Sequence, residues 1–244
     1  MDAMAGAHDH DHVTVAEEEY LQTLYWLYEA GLPMTGANVA RAMQLSPPTV
    51  HEMVRRLVTD GYIVRGADKV ITFTDSGREH AETIVRRHRL IERFLTDVLG
   101  IPWNEVHEEA ERMEHAMSPV IEERMLVAIG NATTCPHGHP IQVGERIEGA
   151  PLSDAEVGAS VKILRFENEA EDLLHELKAQ QFEPGLEGTV VESDDDVVIE
   201  TTDGRRLHLA SPLAETVSVL ADPSPPLRVA IPEQLVLAKE RYGR

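Results

Sequence analysis

The sequence predicts a mainly α fold with a β portion: an N-terminal winged helix-turn-helix, an α-helical segment and a small C-terminal β-barrel. Three observations predict this architecture. A helix, short turn, helix pattern over residues 36–57 precedes a candidate β-hairpin. Further helices with apolar faces follow between residues 75 and 129. Beyond residue 150, short apolar strands alternate with turn residues.

The N-terminal helices are predicted from apolar spacing and from their end signals. A first helix over residues 14–31 carries tyrosines and leucines at helical spacing, and a short helix over residues 36–43 follows. Ser46 is a favoured N-cap, and Pro47 suits the first position of the next helix. These elements together indicate a helix-turn-helix, whose second helix enters the major groove of DNA.

A β-hairpin, the wing, is expected from residues 62–65 and 70–74, which flank a turn. A three-helix unit with a hairpin and no role in DNA binding is the alternative. If the unit binds DNA, one set of residues faces the groove and another set lies near phosphates. The groove set is Ser46, Pro48, Thr49, His51 and Glu52, and the phosphate set is Arg55, Arg56 and Lys69.

The net charge of −21 argues against simple nucleic-acid binding, but the charge is unevenly distributed. Residues 33–78 contain six Lys and Arg side chains and four Asp and Glu side chains, so this segment has a net positive charge. A bound divalent cation would neutralise part of the acidic remainder. A protein of this kind would approach phosphate after it has bound a cation.

Three helices are expected after the wing. Asp75, Ser76 and Gly77 begin a long helix that ends near Val98, a second covers about residues 104–117, and a third begins at Ser118. Their apolar faces require a partner surface. A homodimer is the natural partner, because a two-fold DNA site is bound by a two-fold protein.

Two stripes of metal-ligand side chains lie on these helices. On the second, His107, Glu111, Glu114 and His115 stand at i, i+4, i+7 and i+8, which is one helix face. On the first, His88 and Glu92 stand at i and i+4. Imidazole and carboxylate donors suit a divalent first-row cation, and the excess of carboxylates favours Mn or Fe over Cu.

Residues 130–149 are rich in Gly, Pro and His and are predicted to form a linker with a structured turn. Cys135, His137 and His139 are also candidate metal ligands, but a structural zinc site needs four ligands, and a second cluster is missing from the sequence. The single cysteine excludes an internal disulfide and fits a reducing cytoplasm. No stretch has the length and apolarity of a membrane span.

The C-terminal part predicts a small barrel with one inserted helix, expected at residues 169–180. The five expected strands cover residues 160–164, 188–192, 197–200, 206–209 and 217–220. The predicted organisation is a disordered tail (1–13), a winged helix-turn-helix (14–76), a helical metal-binding and dimerisation domain (77–145), a barrel (150–222) and an extension (223–244) with a short helix at 233–241.

Several stretches together resemble one known family across nearly all of the chain up to Ala221. They are residues 19–21, 45–50, 57–62, 72–78, 87–95, 106–115 and 136–141. The chain resembles the diphtheria-toxin-repressor family of metalloregulators, and in particular its manganese-responsive branch. The resemblance implies that the C-terminal barrel is SH3-like and related to FeoA-type barrels.

The resemblance also implies two neighbouring metal positions in each subunit. The first consists of His88, Glu92 and His107, and the second of Glu19, Glu111, Glu114 and His115. Iron-responsive members have methionine and cysteine where Glu19 and Glu111 stand, so the oxygen donors here imply Mn(II), with Fe(II) as the alternative. The barrel domain is implied to contribute a further ligand, and Glu167 is the candidate.

The function implied is that of a cytoplasmic repressor of manganese homeostasis, without enzymatic activity, membrane association or a small-molecule substrate. It would bind a palindromic double-stranded operator when loaded with Mn(II). An iron(II)-dependent repressor is the alternative within the family. Outside it, a winged-helix sensor of a small molecule remains open. A di-metal carboxylate enzyme is disfavoured, because the chain has no Glu-x-x-His motif.

Overall fold

The computed structural model describes residues 13–144 and 147–225. The expected tail up to residue 12 and the expected helix at 233–241 lie outside the described residues. Within the described part, no helix is both long enough and apolar enough to cross a membrane. The α-helices are α1 (Val15–Glu29), α2 (Gly36–Ala42), α3 (Pro47–Thr59), α4 (Asp75–Asp97), α5 (His107–Glu114), α6 (Pro119–Ala128), α7 (Glu171–Ala179) and α8 (Ser211–Ala214). The strands are β1 (Ile63–Arg65), β2 (Ile71–Phe73), β3 (Ala150–Pro151), β4 (Ser160–Phe166), β5 (Glu187–Ser193), β6 (Asp196–Thr201), β7 (Arg206–Ala210) and β8 (Val217–Asp222).

The first compact unit covers residues 13–28 and 33–83 and is a winged helix-turn-helix, as the sequence predicts. Ser46 caps α3, its hydroxyl accepting from the backbone N–H of Thr49. The apolar face of α3 is buried, and its polar face is exposed. Strands β1 and β2 pair antiparallel to form the wing. The N-cap and the apolar period were therefore sufficient to predict this unit.

The second compact unit covers residues 29–32 and 84–225, so the helical segment and the barrel lie in one unit. The single helix expected at residues 104–117 is divided. A 3-10 turn at Trp103–Glu105 precedes α5, which ends at Glu114. His115 is the C-cap, and α6 begins after the Ser118 N-cap with Pro119 at its first position. The short α5 places His107 at its first residue.

The barrel is a six-stranded antiparallel sheet in the order β3, β8, β4, β5, β6, β7. The five expected strands are present, and β3 is additional. Helix α7 begins at Glu171 rather than at residue 169, with Ala170 as its N-cap. Its leucines pack into the core between the strands. Because the helix begins late, Glu169 lies in the connection before it.

Residues 134–140 form a compact turn. The Cys135 N–H donates to the carbonyl of His139 (2.8 Å), and Gly138 has φ +95°, a backbone conformation that favours glycine. The ring of Trp103 packs against Phe166 of β4 in a tilted arrangement with centroids 5.5 Å apart, and it is T-shaped to His137 with centroids 6.0 Å apart. The turn therefore lies between the helical segment and the barrel, within the same unit.

Candidate metal centre

Three imidazoles and two carboxylates converge at one point of the second unit. His88 and Glu92 come from α4, His107 from α5, His137 from the turn and Glu169 from the connection before α7. Ligand atoms of His88, Glu92, His107 and Glu169 all lie within 4.8 Å of one another, and so do those of Glu92, Cys135, His137 and Glu169. Sequence-distant segments thus bring together donors typical of a metal centre.

His88 is oriented by a second carboxylate. Its Nδ1–H donates to Glu114 Oε2 (2.6 Å), which leaves Nε2 facing Glu92 Oε1 (3.0 Å) and His107 Nδ1 (3.1 Å). A metal-ligating histidine usually donates its other ring N–H in this way, because the donation fixes the tautomer and the ring orientation. His88 therefore has the environment of a ligand.

His137 and His107 follow the same pattern. The Nε2–H of His137 donates to the Trp103 carbonyl (2.8 Å), and its Nδ1 lies 3.2 Å from Glu92 Oε1. His107 Nε2 lies 3.4 Å from Glu111, and its Nδ1 lies 3.1 Å from Glu169 Oε2. In each ring the outer nitrogen has an oxygen partner, and the inner nitrogen faces the shared carboxylates.

Two buried atoms of this cluster lack a hydrogen-bond partner: Glu92 Oε2 and His137 Nδ1. An unsatisfied carboxylate oxygen in the protein interior is costly unless a cation or a donor reaches it. These atoms, together with the donor types, fit a divalent cation.

Protons on the imidazoles of the cluster offset the negative charges of its buried carboxylates. Burial alone raises the pKa of Glu92, but the imidazoles of His137 and His88 hold that pKa well below its ordinary value. Burial alone lowers the pKa of His88, but Glu92 and Glu114 raise it to about 9. Against burial, carboxylates including Glu169 also raise the pKa of His107 and His137. Protons therefore occupy the imidazoles at neutral pH, and a cation would have to displace them.

The residues expected in the second metal position are partly brought together. Glu114 Oε1 lies 3.4 Å from His115 Nε2, and its other oxygen accepts from His88. Glu111 is half-exposed and faces His107. Glu19 is exposed on α1 and belongs to the first unit. Its role as a ligand stays a prediction.

The barrel carboxylate at this centre is that of Glu169, whereas the sequence predicts Glu167. Glu167 Oε1 accepts from Arg165 Nε (2.7 Å). The expected helix start at residue 169 would have placed Glu169 within the helix. The sequence offers only a weak signal for Glu169, namely that it stands two residues before Glu171, the first residue of α7.

Cys135 and His137 also lie at the centre. The sequence favoured a structured turn without a metal for their segment and kept them as candidate ligands only. Burial, followed by the nearby Glu92, raises the pKa of the Cys135 thiol to about 11. A thiol in this state has to lose a proton before it binds a metal. The centre thus offers a set with two imidazoles and two carboxylates, and an overlapping set that adds sulfur.

The predicted DNA-contacting residues are exposed on the first unit. Ser46, Pro48, Thr49, His51, Glu52, Arg55 and Arg56 lie at the start or along the polar face of α3, and Lys69 lies in the wing turn. Glu52 Oε1 accepts from Arg55 Nη2 (2.6 Å). Arg56 Nε lies 2.8 Å from Glu17 Oε1.

Three family models match the chain in order. They are the iron dependent repressor N-terminal DNA binding domain at residues 12–69, the iron dependent repressor metal binding and dimerisation domain at 74–142, and the FeoA domain at 150–221. The three matches follow one another in the same order as the predicted winged unit, helical segment and barrel.

Individual relatives agree. The iron-dependent repressor IdeR of Mycobacterium tuberculosis is 44% identical over 124 residues, which is 51% of this chain and 54% of that protein. The chain thus spans about half the length of such relatives. The diphtheria toxin repressor of Corynebacterium diphtheriae is 32% identical over 218 residues, 83% of this chain and 95% of that protein. The solved structure of a manganese-dependent transcriptional repressor in complex with manganese is 28% identical, with a TM-score of 0.76, over 84% of this chain and 99% of that one.

Proposed function

Because this chain belongs to the diphtheria toxin repressor family, we propose that it is a metal-dependent transcriptional repressor of manganese homeostasis rather than an enzyme. It binds a palindromic operator as a homodimer when it holds Mn(II). The observation that carries the proposal is the convergence of the inner nitrogens of His88, His107 and His137 on Glu92 and Glu169.

The cation would be held by the overlapping donor sets, with the second position at Glu111, Glu114, His115 and Glu19 as predicted. A divalent cation supplies positive charge that replaces the imidazole protons and neutralises the buried carboxylates. Each subunit is proposed to hold two ions. The protein's own contribution is to orient the imidazoles, which Glu114 and the Trp103 carbonyl do before any cation arrives.

Manganese is proposed as the physiological ion because carboxylates stand where sulfur ligands are expected in iron-responsive members. Oxygen donors at Glu19 and Glu111 favour a harder ion. The protonated state of the Cys135 thiol agrees, since Mn(II) competes poorly for a thiol proton. Fe(II) is the second candidate, and the identity to iron-dependent repressors favours it.

Operator binding is proposed to use α3 in the major groove and the wing near phosphates. Two copies related by a two-fold axis would read half-sites about one DNA turn apart, or a multiple of that spacing. Exposed apolar residues of α6, including Val120 and Val127, agree with a dimer surface on the helical segment.

The test is fluorescence anisotropy with a duplex from the region upstream of the chain's own coding sequence. Mn(II), Fe(II) under anaerobic conditions, Zn(II) and a chelator are compared. We expect tight binding with Mn(II), loss with the chelator, and loss in the Glu92→Ala variant. Glu183→Gln, an exposed carboxylate outside the centre, is the control.

Equal binding with the chelator and with Mn(II) would contradict metal dependence. A response to Fe(II) at lower free concentration than to Mn(II) would instead assign the protein to iron. Sedimentation that gives only monomers at micromolar protein with metal present would contradict the dimer.

A further inference from the structure

One buried carboxylate in the first unit joins the start of α1 to the recognition helix α3. Glu17 lies in the first turn of α1, and its side chain is only 4% exposed. Its two oxygens have different partners. Oε2 accepts from Thr14, and Oε1 forms an ion pair with Arg56 on α3.

The Oε2 contacts form a capping box at the start of α1. The backbone N–H and the hydroxyl of Thr14 both donate to Glu17 Oε2 at 2.7 Å, and the Glu17 N–H donates to the Thr14 hydroxyl at 3.4 Å. A threonine followed three residues later by glutamate is the sequence signature of this motif. The capping function therefore occupies one oxygen of Glu17.

The Oε1 contact serves a different purpose. The Nε atom of Arg56 lies 2.8 Å from Glu17 Oε1 in an ion pair, while the Arg56 side chain is 51% exposed. An arginine has five N–H donors, so four remain on the terminal nitrogens. The carboxylate lies in the interior and the guanidinium is at the surface of α3. Asp60, at the end of the same helix, lies 3.7 Å from Nε.

We propose that Glu17 is a positioning residue for DNA binding, which holds Arg56 so that its terminal N–H groups face a DNA phosphate. This inference rests on the proposed placement of α3 in the groove. An arginine side chain loses conformational entropy when it is fixed against a phosphate. The ion pair with Glu17 holds the guanidinium before DNA arrives, and this pre-organisation raises affinity.

The competing role is masking, in which Glu17 would withdraw Arg56 from DNA. The geometry disfavours it, because Glu17 is buried, its ion pair with Arg56 is at Nε, and the Arg56 side chain stays half-exposed. Pure helix capping is the other competing role. Thr14 separates capping from positioning, since it contacts Oε2 and Arg56 contacts Oε1.

The experiment is a double-mutant cycle on duplex binding by the full chain with Mn(II). The loss of affinity caused by Arg56→Ala is measured in the wild-type, Glu17→Ala and Thr14→Ala backgrounds. The upstream duplex and an unrelated duplex are both used, because phosphate contacts do not depend on sequence. Any direct effect of the Glu17 charge cancels in the cycle.

In the wild-type background, Arg56→Ala should cost about tenfold in affinity and lower the salt slope by about one. In the Glu17→Ala background the cost should fall below about threefold, and in the Thr14→Ala background it should stay near tenfold. Circular dichroism checks folding. If Glu17→Ala unfolds, Glu17→Gln keeps the volume and an acceptor for Thr14 but removes the charge that pairs with Arg56, so the Arg56→Ala cost should still fall.

Equal costs of Arg56→Ala in the wild-type and Glu17→Ala backgrounds overturn the inference, and a larger cost with Glu17→Ala establishes masking instead. A Thr14→Ala background that behaves like Glu17→Ala assigns the effect to capping. Unchanged binding by the Arg56→Ala variant also overturns the inference about Glu17. The proposed repressor function survives that result if wild-type binding still requires Mn(II). Wild-type binding that does not require Mn(II) would contradict the proposed function. The double-mutant cycle on the unrelated duplex would still decide the role of Glu17.

Discussion

His137 Nδ1 lies 3.2 Å from Glu92 Oε1, although 45 positions separate the two residues. Both side chains are completely buried. The Trp103 carbonyl accepts the other ring proton of His137, so the ring orientation is fixed independently of Glu92. The turn at residues 134–140 is therefore part of the candidate metal centre.

The barrel ligand is expected to be Glu169. Glu169→Gln should lower the affinity for Mn(II) by at least about tenfold, because it removes one carboxylate charge from the cluster. Glu167→Gln is the matched variant, and it should change the affinity by less than about threefold, since Glu167 pairs with Arg165. Isothermal titration with Mn(II) measures both. A larger effect of Glu167→Gln would restore the ligand that the sequence predicts.

Cys135 is expected to matter for soft ions only. Cys135→Ser should leave Mn(II) affinity within about threefold and lower Zn(II) affinity by about tenfold or more, because sulfur donors favour softer ions. His88→Ala, which removes an imidazole from the candidate set of oxygen and nitrogen donors, should reduce Mn(II) binding strongly. Competition titrations against a chromogenic chelator provide the measurement. Equal losses for both ions in Cys135→Ser would show that sulfur takes part whichever ion binds.

The affinity for Mn(II) should rise with pH between about 6.5 and 9. The pKa of His88 in the metal-free protein is about 9, so a cation displaces a proton throughout this window. Each displaced proton adds about one logarithmic unit of affinity per pH unit. Titrations in several buffers at fixed ionic strength give the slope, and a flat profile would contradict protonated imidazoles.

The stability of the metal-free protein should fall as pH rises, whereas its affinity for Mn(II) rises. The pKa of His88 is raised above its ordinary value of 6.5 in the folded protein. The stabilisation that protonated His88 gives is therefore complete below pH 6.5 and is lost as pH rises through about 9. Chemical denaturation in the presence of a chelator checks the sign.

Gly138 of the turn should tolerate replacement less well than Gly144, which lies outside it. Its φ is +95°, and an added Cβ would collide with the Leu164 carbonyl. Gly138→Ala should therefore destabilise by about 2 kcal/mol or more. Gly144→Ala is the matched control, because its φ of +91° gives similar strain with open space around the Cβ. Its expected cost is about 1 kcal/mol. Denaturant melts compare them, and equal costs would remove the collision as the cause.

Local signals in the sequence were enough for the winged unit and for some of the side chains that the structure brings together in the candidate metal centre. Ser46 and Pro47 mark the start of α3 because an N-cap hydroxyl and a first-turn proline act within three residues. His88 and Glu92 were identifiable because a four-residue spacing fixes a shared helix face. Such features depend on neighbouring residues only.

The other members of the candidate metal centre were decided by tertiary structure. Whether Glu167 or Glu169 reaches the cluster depends on where α7 begins and on the bond between Glu167 and Arg165, and no periodicity encodes either. The place of His137 depends on Trp103, which holds the turn between α4 and the barrel. The sequence by itself determined which residue types and helix faces were available. Only the fold determined which of them meet, because contacts between distant segments arise from packing rather than from local conformational preference.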